Sequence, residues 1–298
     1  MKIIPPLTVT PTELTNTNVA ITETEWTAGT YDLGDQRYVG TTLYEVVADP
    51  NTDDDPEAGV LADPATWIEI GEINRFKMFD FLIGDATEQT GGDIDVTVED
   101  DGLINAVALF EVIGASVQVI VTDDTEGEVY NTTRDLADNS GVSDWYSYFF
   151  EPITRDTDAI FLDLPSYIGA SVRVIVDDGS NDTAIGELVL GQQVRIGETL
   201  QEFSFGIEDF SRKERDSFGR FTIVERRFAK LAEYDIYLRN AQIGPAFRTL
   251  SAQRATPTVY VGDDDRPETV IIGFYRDFST VRTGPTTSEM TLEIEGLV

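Results

Sequence analysis

The side chains that most often carry chemistry are either missing from this sequence or too abundant to signal anything. Its 298 residues include no His and no Cys. That excludes imidazole bases, Ser-His-Asp triads, thiolate nucleophiles, Cys-ligated zinc and disulfides. Carboxylates remain, 55 Asp+Glu against 21 Lys+Arg, for a net charge of −34. A glycosidase needs two carboxylates at a set separation, but 55 acids supply many pairs by number alone. The acidic runs Asp53-Asp54-Asp55, Asp177-Asp178 with Asp182, and Asp263-Asp264-Asp265 have two readings: Ca²⁺-binding turns, or solvated hairpin loops. The phosphate-binding patterns G-x-x-x-x-G-K-[ST] and G-x-G-x-x-G are absent, as is EF-hand spacing. The expectation is a chain with no catalytic residues, no resident metal and no cofactor. Charge of this sign also repels phosphate backbones, so nucleic acid is not an expected partner.

Two clusters have a spacing that suggests binding. The first is aromatic: Trp26, Tyr31, Tyr38, Tyr44 and Trp67 lie within about forty residues. Flat aromatic faces stack on sugar rings, which makes these five candidate carbohydrate-binding residues. In so short a segment the favoured reading of the same five side chains is the core. The second cluster is basic. Arg212, Lys213, Arg215, Arg220, Arg226, Arg227 and Lys230 are a third of all the cations in the chain. Residues 1–72 carry −12 and residues 73–200 carry −19, whereas residues 201–298 carry only −3. A surface that packs against other protein cannot sustain strong self-repulsion. The seven cations are therefore candidate assembly contacts.

The elements that must position these residues read as mainly β. Residues 1–18, with Pro5, Pro6 and Pro11, form an extended N-terminal arm, either a frayed terminus or an arm that docks on a neighbouring subunit. Residues 19–72 form a small aromatic β-module with short strands at 38–39, 41–47 and 67–70, split by a charged loop at 49–56. Residues 73–200 read as a jelly-roll or β-sandwich. In them Ile94–Glu99 alternates with period two, and Ile104–Phe110 is continuously apolar. The nonapeptide at 113–121, IGASVQVIV, recurs at 168–176 as IGASVRVIV, with eight of nine residues identical. Two copies indicate an internal duplication rather than a solenoid. Residues 201–298 form a C-terminal β-rich domain with one helix over Pro245–Arg254, whose face is expected to hold Phe247, Leu250 and Arg254. Phe221–Leu238 fits one long strand or a strand plus a helix. The first residues show no signal-peptide pattern, and no run approaches the roughly 18 apolar residues of a membrane span.

The order Trp26-Thr27-Ala28-Gly29-Thr30-Tyr31-Asp32-Leu33-Gly34-Asp35, Val39-Gly40, Leu43-Tyr44-Glu45-Val46, Pro64 and Trp67 resembles small chitin-binding-type carbohydrate-binding modules. The resemblance implies a compact aromatic β-module. The segments Ile70–Asp80, Ile185–Gly191, Ile196–Thr199, Asp209–Gly219, Pro257–Gly262 and Ser288–Leu297 together resemble tail-tip or distal-tail structural proteins of long-tailed bacteriophages. That resemblance implies a β-rich virion protein made in the host cytoplasm. It would assemble into a homo-oligomeric ring through its C-terminal domain, contact other tail proteins and turn its acidic domains outward. A glycan-binding adhesin that recognises host surface carbohydrate is the first alternative. A capsid or head-tail joining protein is the second.

Overall fold

The computed structural model describes residues 1–298 except 83, 139–144, 146–153, 216–217, 265 and 298; the side chains of residues 138 and 202 are also left out. The chain is mainly β, arranged as antiparallel sheets stacked in layers. A five-stranded sheet runs in the order Gly127–Asp135, Ser116–Asp123, Ser171–Asp177, Ile94–Glu99, Leu14–Thr17. It faces a three-stranded sheet of Ala159–Phe161, Ala106–Phe110 and Glu187–Gly191. A seven-stranded sheet covers the other side. Its order is Val194–Arg195, Lys2–Ile4, Thr258–Val261, Val270–Val281, Thr287–Gly296, Phe228–Arg239, Glu198–Asp209.

Layering explains the apolar run at 106–110. Successive strand residues point to opposite faces. Val107 and Leu109 join the sandwich core with Val117, Val119, Val172 and Val174. Ala106, Ala108 and Phe110 pack the other way, against Ile4, Val259, Val261, Val270 and Ile272 of the seven-stranded sheet. A strand covered on both faces must be apolar at every position. The period-two strand Ile94–Glu99 has one covered face, and its Ile94, Val96 and Val98 are all fully buried.

The two copies of the repeat are neighbours. Val117 pairs with Val176, Val119 with Val174 and Val121 with Val172. Val119 therefore lies opposite its own counterpart, and a local two-fold passes through that pair. The one mismatch in the repeat follows from the outer neighbours. Gln118 donates from Nε2 to Asn131 Oδ1 at 2.8 Å, while Arg173 makes a bidentate pair with Asp95 at 2.8 and 2.5 Å. Each partner lies two residues from the position directly opposite, Thr133 for Gln118 and Thr97 for Arg173.

The N-terminal segment is extended, but it serves its own chain. Lys2–Ile4 is an interior strand of the seven-stranded sheet, with Ile3 and Ile4 fully buried on opposite faces. Lys2 pairs with Asp264 at 2.5 Å. These residues are thus not free to dock on a neighbour as expected. The helix spans Ile243–Ala252 after a 3-10 turn at Asn240–Gln242. Its buried residues are Ala246 and Leu250, one turn apart; of the expected face Leu250 is buried, while Phe247 and Arg254 are exposed. Phe247 stays exposed and meets Phe278 edge-on at 5.6 Å. The ambiguous stretch 221–238 holds no helix and forms two strands, Phe221–Val224 and Phe228–Arg239, joined by three residues outside either strand.

Candidate functional site

The aromatic module is a three-stranded sheet of Gln36–Val39, Thr42–Val46 and Trp67–Glu72, with Tyr31–Asp32 paired to Asn51–Thr52 alongside. Tyr31, Tyr44, Val46 and Trp67 form its core. Trp67 is completely buried, donates from Nε1 to Asp54 O at 3.1 Å and meets Tyr31 edge-on at 5.5 Å. The faces of Tyr31, Tyr44 and Trp67 are therefore closed to a sugar ring, which selects the core reading for these three over the stacking platform. So small a fold has few other large side chains with which to exclude water. Trp26 is half-buried against the same core, and half-buried Tyr38 packs instead on the sandwich. The acidic turns have structural work. Asp55 caps the helix Pro56–Val60 by accepting from Glu57 N and Ala58 N, Asp54 accepts from Thr66 Oγ1, and Asp178 takes both guanidinium arms of Arg155.

Sequence reasoning missed a pair of acids, Glu187 buried and Asp80 half-buried. Glu187 is fully buried in the three-stranded sheet; its Oε2 accepts from Phe81 N at 2.9 Å and its Oε1 has no partner. Burial, reinforced by the nearby Asp80 carboxylate, pushes its carboxyl up to about 9, so it is protonated at neutral pH. Burial likewise raises Asp80 to about 6; its Oδ1 accepts from Leu82 N at 2.8 Å. Phe81 between them holds a left-handed backbone, φ +60. Glu187 ties this loop to the sheet through Phe81 N, and Asp80 closes the turn through Leu82 N. The legible signal was one acid inside the apolar run Ile185–Leu190.

The seven candidate cations all fall on one hairpin, and its construction sets it apart from the rest of the fold. Glu198–Asp209 and Phe228–Arg239 pair as far out as Asp209 with Phe228. Thr287–Gly296 covers the second strand only from Arg239 to Leu231. From Lys230 outward the hairpin has left the sheet. It continues as Arg212–Arg215 paired with Phe221–Val224, after a one-residue register change. At that kink Ser211 Oγ donates to Arg226 O and accepts from Arg226 N. Beyond Asp209 the overhang is roughly 30 Å at 3.3 Å per residue.

Every described residue from 204 to 228 is exposed except half-buried Ser211. Eight large apolar side chains lie in this stretch, from Phe205 to Phe228, each between 41% and 88% exposed. The cations lie among them. Arg215 sits over the Phe221 ring at 4.4 Å, and Arg212 bonds Glu214 at 2.5 Å. Lys213 bonds Asp209 at 2.5 Å and, with Ser211, holds that carboxyl well below the usual range. Arg220 and Arg226 are exposed towards the tip and the kink. At the root, Arg227 donates to Gly84 O at 3.4 Å and Lys230 meets Asp158 at 3.4 Å. The structure thus brings together all seven residues that the charge pattern singled out.

Among the described residues no helix is long and apolar enough to cross a membrane. No family model, no curated protein and no solved structure matches this chain.

Proposed function

We propose that this chain is a non-enzymatic structural protein of a bacteriophage virion. It belongs to the tail tip and is built into a ring with its own copies and other tail proteins through residues 201–298. The observation that carries the assembly part is the overhanging hairpin. A two-stranded ribbon with both faces in water is marginal by itself, and contiguous exposed apolar surface marks an interaction site. Eight exposed apolar side chains on such a ribbon call for a partner surface. The near-neutral charge of residues 201–298 supports the same end of the chain as the packed one. The narrowing from an assembly to a phage tail tip rests on the sequence resemblance.

The adhesin reading loses three of its five aromatics to the module core, which leaves Trp26 and Tyr38. A capsid or head-tail joining role would use the same hairpin but a different end of the particle. Immunogold electron microscopy with antibody to residues 19–72 tests the location. Gold at the tail tip is the expected result. Gold on the head or neck, or particles that lack the chain, would overturn it.

A further inference from the structure

The overhanging hairpin has two chemically different faces. Directly opposed residues of a hairpin share a face. Lys213 lies opposite Ile223 and Arg215 opposite Phe221; Arg212 opposite Val224 and Glu214 opposite Thr222 make the other face. The first face offers two large apolar side chains and two cations, of which Lys213 is bound to Asp209 at the base and Arg215 lies over Phe221. Residues 210–228 hold six basic and three acidic residues, a net +3, against −37 for the rest of the chain. Two hairpins laid face to face would set like charges together. A hairpin laid on the body of another copy sets unlike charges together, which favours a head-to-tail contact.

The body carries a cavity of matching chemistry. It has a volume of about 230 Å³ and lies between the 106–110 strand and the seven-stranded sheet. Phe110, Val270, Ile272 and Leu297 supply apolar walls, and Glu111 and Asp158 supply carboxylates. Glu111 holds φ +52, a region that residues with side chains seldom occupy and that clusters at working sites. Gly186 leaves room for it: a Cβ there would come within 2.7 Å of the Glu111 Cβ. Asp158 is met by Lys230, whereas the Glu111 carboxylate has no ion pair among the described residues. Arg227 and Phe228, at the hairpin's own root, line the same cavity.

We propose that Phe221 and Ile223 of one copy seat on this cavity in a second copy, with Arg215 facing Glu111. Each hairpin then lies across the root of the next, and the contact propagates head to tail into a closed ring. This inference rests on the assembly reading above and names the occupant of the hairpin surface.

The chain has no cysteine, so engineered thiols report the contact without background. Full-length Ile223→Cys and Glu111→Cys chains are mixed at low ionic strength and oxidised. The mixture is expected to cross-link, and neither variant alone. Thr222→Cys, on the opposite face, is expected to give at least tenfold less product. Lys230→Cys is a second acceptor should Glu111→Cys fold poorly. Self-cross-linking of Ile223→Cys, equal yield from Thr222→Cys, or no product with either acceptor would overturn the proposal. Tail-tip gold labelling together with an unlinked mixture would reject the second copy as occupant while leaving the assembly reading in place.

Discussion

At the scale of single residues, the buried carboxyl of Glu187 makes the sharpest claim. In the unfolded chain it ionises near 4.5, and in the folded chain near 9. Between those values the folded state holds a proton that the unfolded state has released. Its contribution to stability is complete below pH 4.5 and is lost as pH rises through about 9. The slope reaches at most about 1.4 kcal/mol per pH unit from this one group. Glu187→Gln keeps an acceptor for Phe81 N–H and removes the titration. The variant is expected to melt several degrees above the parent at pH 8, with the difference vanishing near pH 4, by calorimetry. A parallel pH dependence in the two proteins would refute the assignment. Glu111 was invisible in a chain with 55 acids, because its meaning comes from backbone angle, and Glu187 showed only as one acid inside an apolar run whose burial depends on the fold. The module aromatics were legible as a set. Whether their faces met solvent or each other was not, since that depends on how the two small sheets close over Trp67.

At the scale of elements, period-two strands and the repeat were read correctly because side-chain alternation and identity are local properties. What the repeat meant was not local. The two copies lie side by side about a two-fold through Val119 and Val174, and this appears only when the register is known. The difference between Gln118 and Arg173 then follows from Asn131 on one outer strand and Asp95 on the other. Arg173→Gln alone strands Asp95 and is expected to cost about 0.5–1 kcal/mol, modest because the guanidinium is half exposed. Adding Asp95→Asn recreates the other copy's amide pair and is expected to recover most of that loss. A double-mutant cycle by urea denaturation measures it, and strict additivity would mean the two side chains do not cooperate. The helix face was read only in part: Leu250 is buried as expected, whereas Phe247 stays exposed and packs edge-on against half-buried Phe278 at the rim of the core. The N-terminal arm was misread because Pro-rich composition says extended and cannot say where the strand docks.

At the scale of the whole molecule, charge organises the account. The acidic residues cover a stacked β body, and the cations gather on one hairpin that leaves the sheet after Lys230. The sequence placed those cations on one stretch, but it could not tell an exposed ribbon from a strand within the sheet. Both alternate, and only the shorter cover of Thr287–Gly296 separates them. The central claim is that this ribbon is the surface through which copies assemble. Sedimentation velocity of the full-length chain across a range of concentrations, with and without Phe221→Ser and Ile223→Ser, tests it most directly. Both side chains are over 60% exposed, so the double variant is expected to keep the parent's melting temperature. The account predicts species larger than a monomer for the parent, weakened by added salt, and a monomer for the variant. A parent that stays monomeric throughout, or a variant that assembles as the parent does, would contradict it.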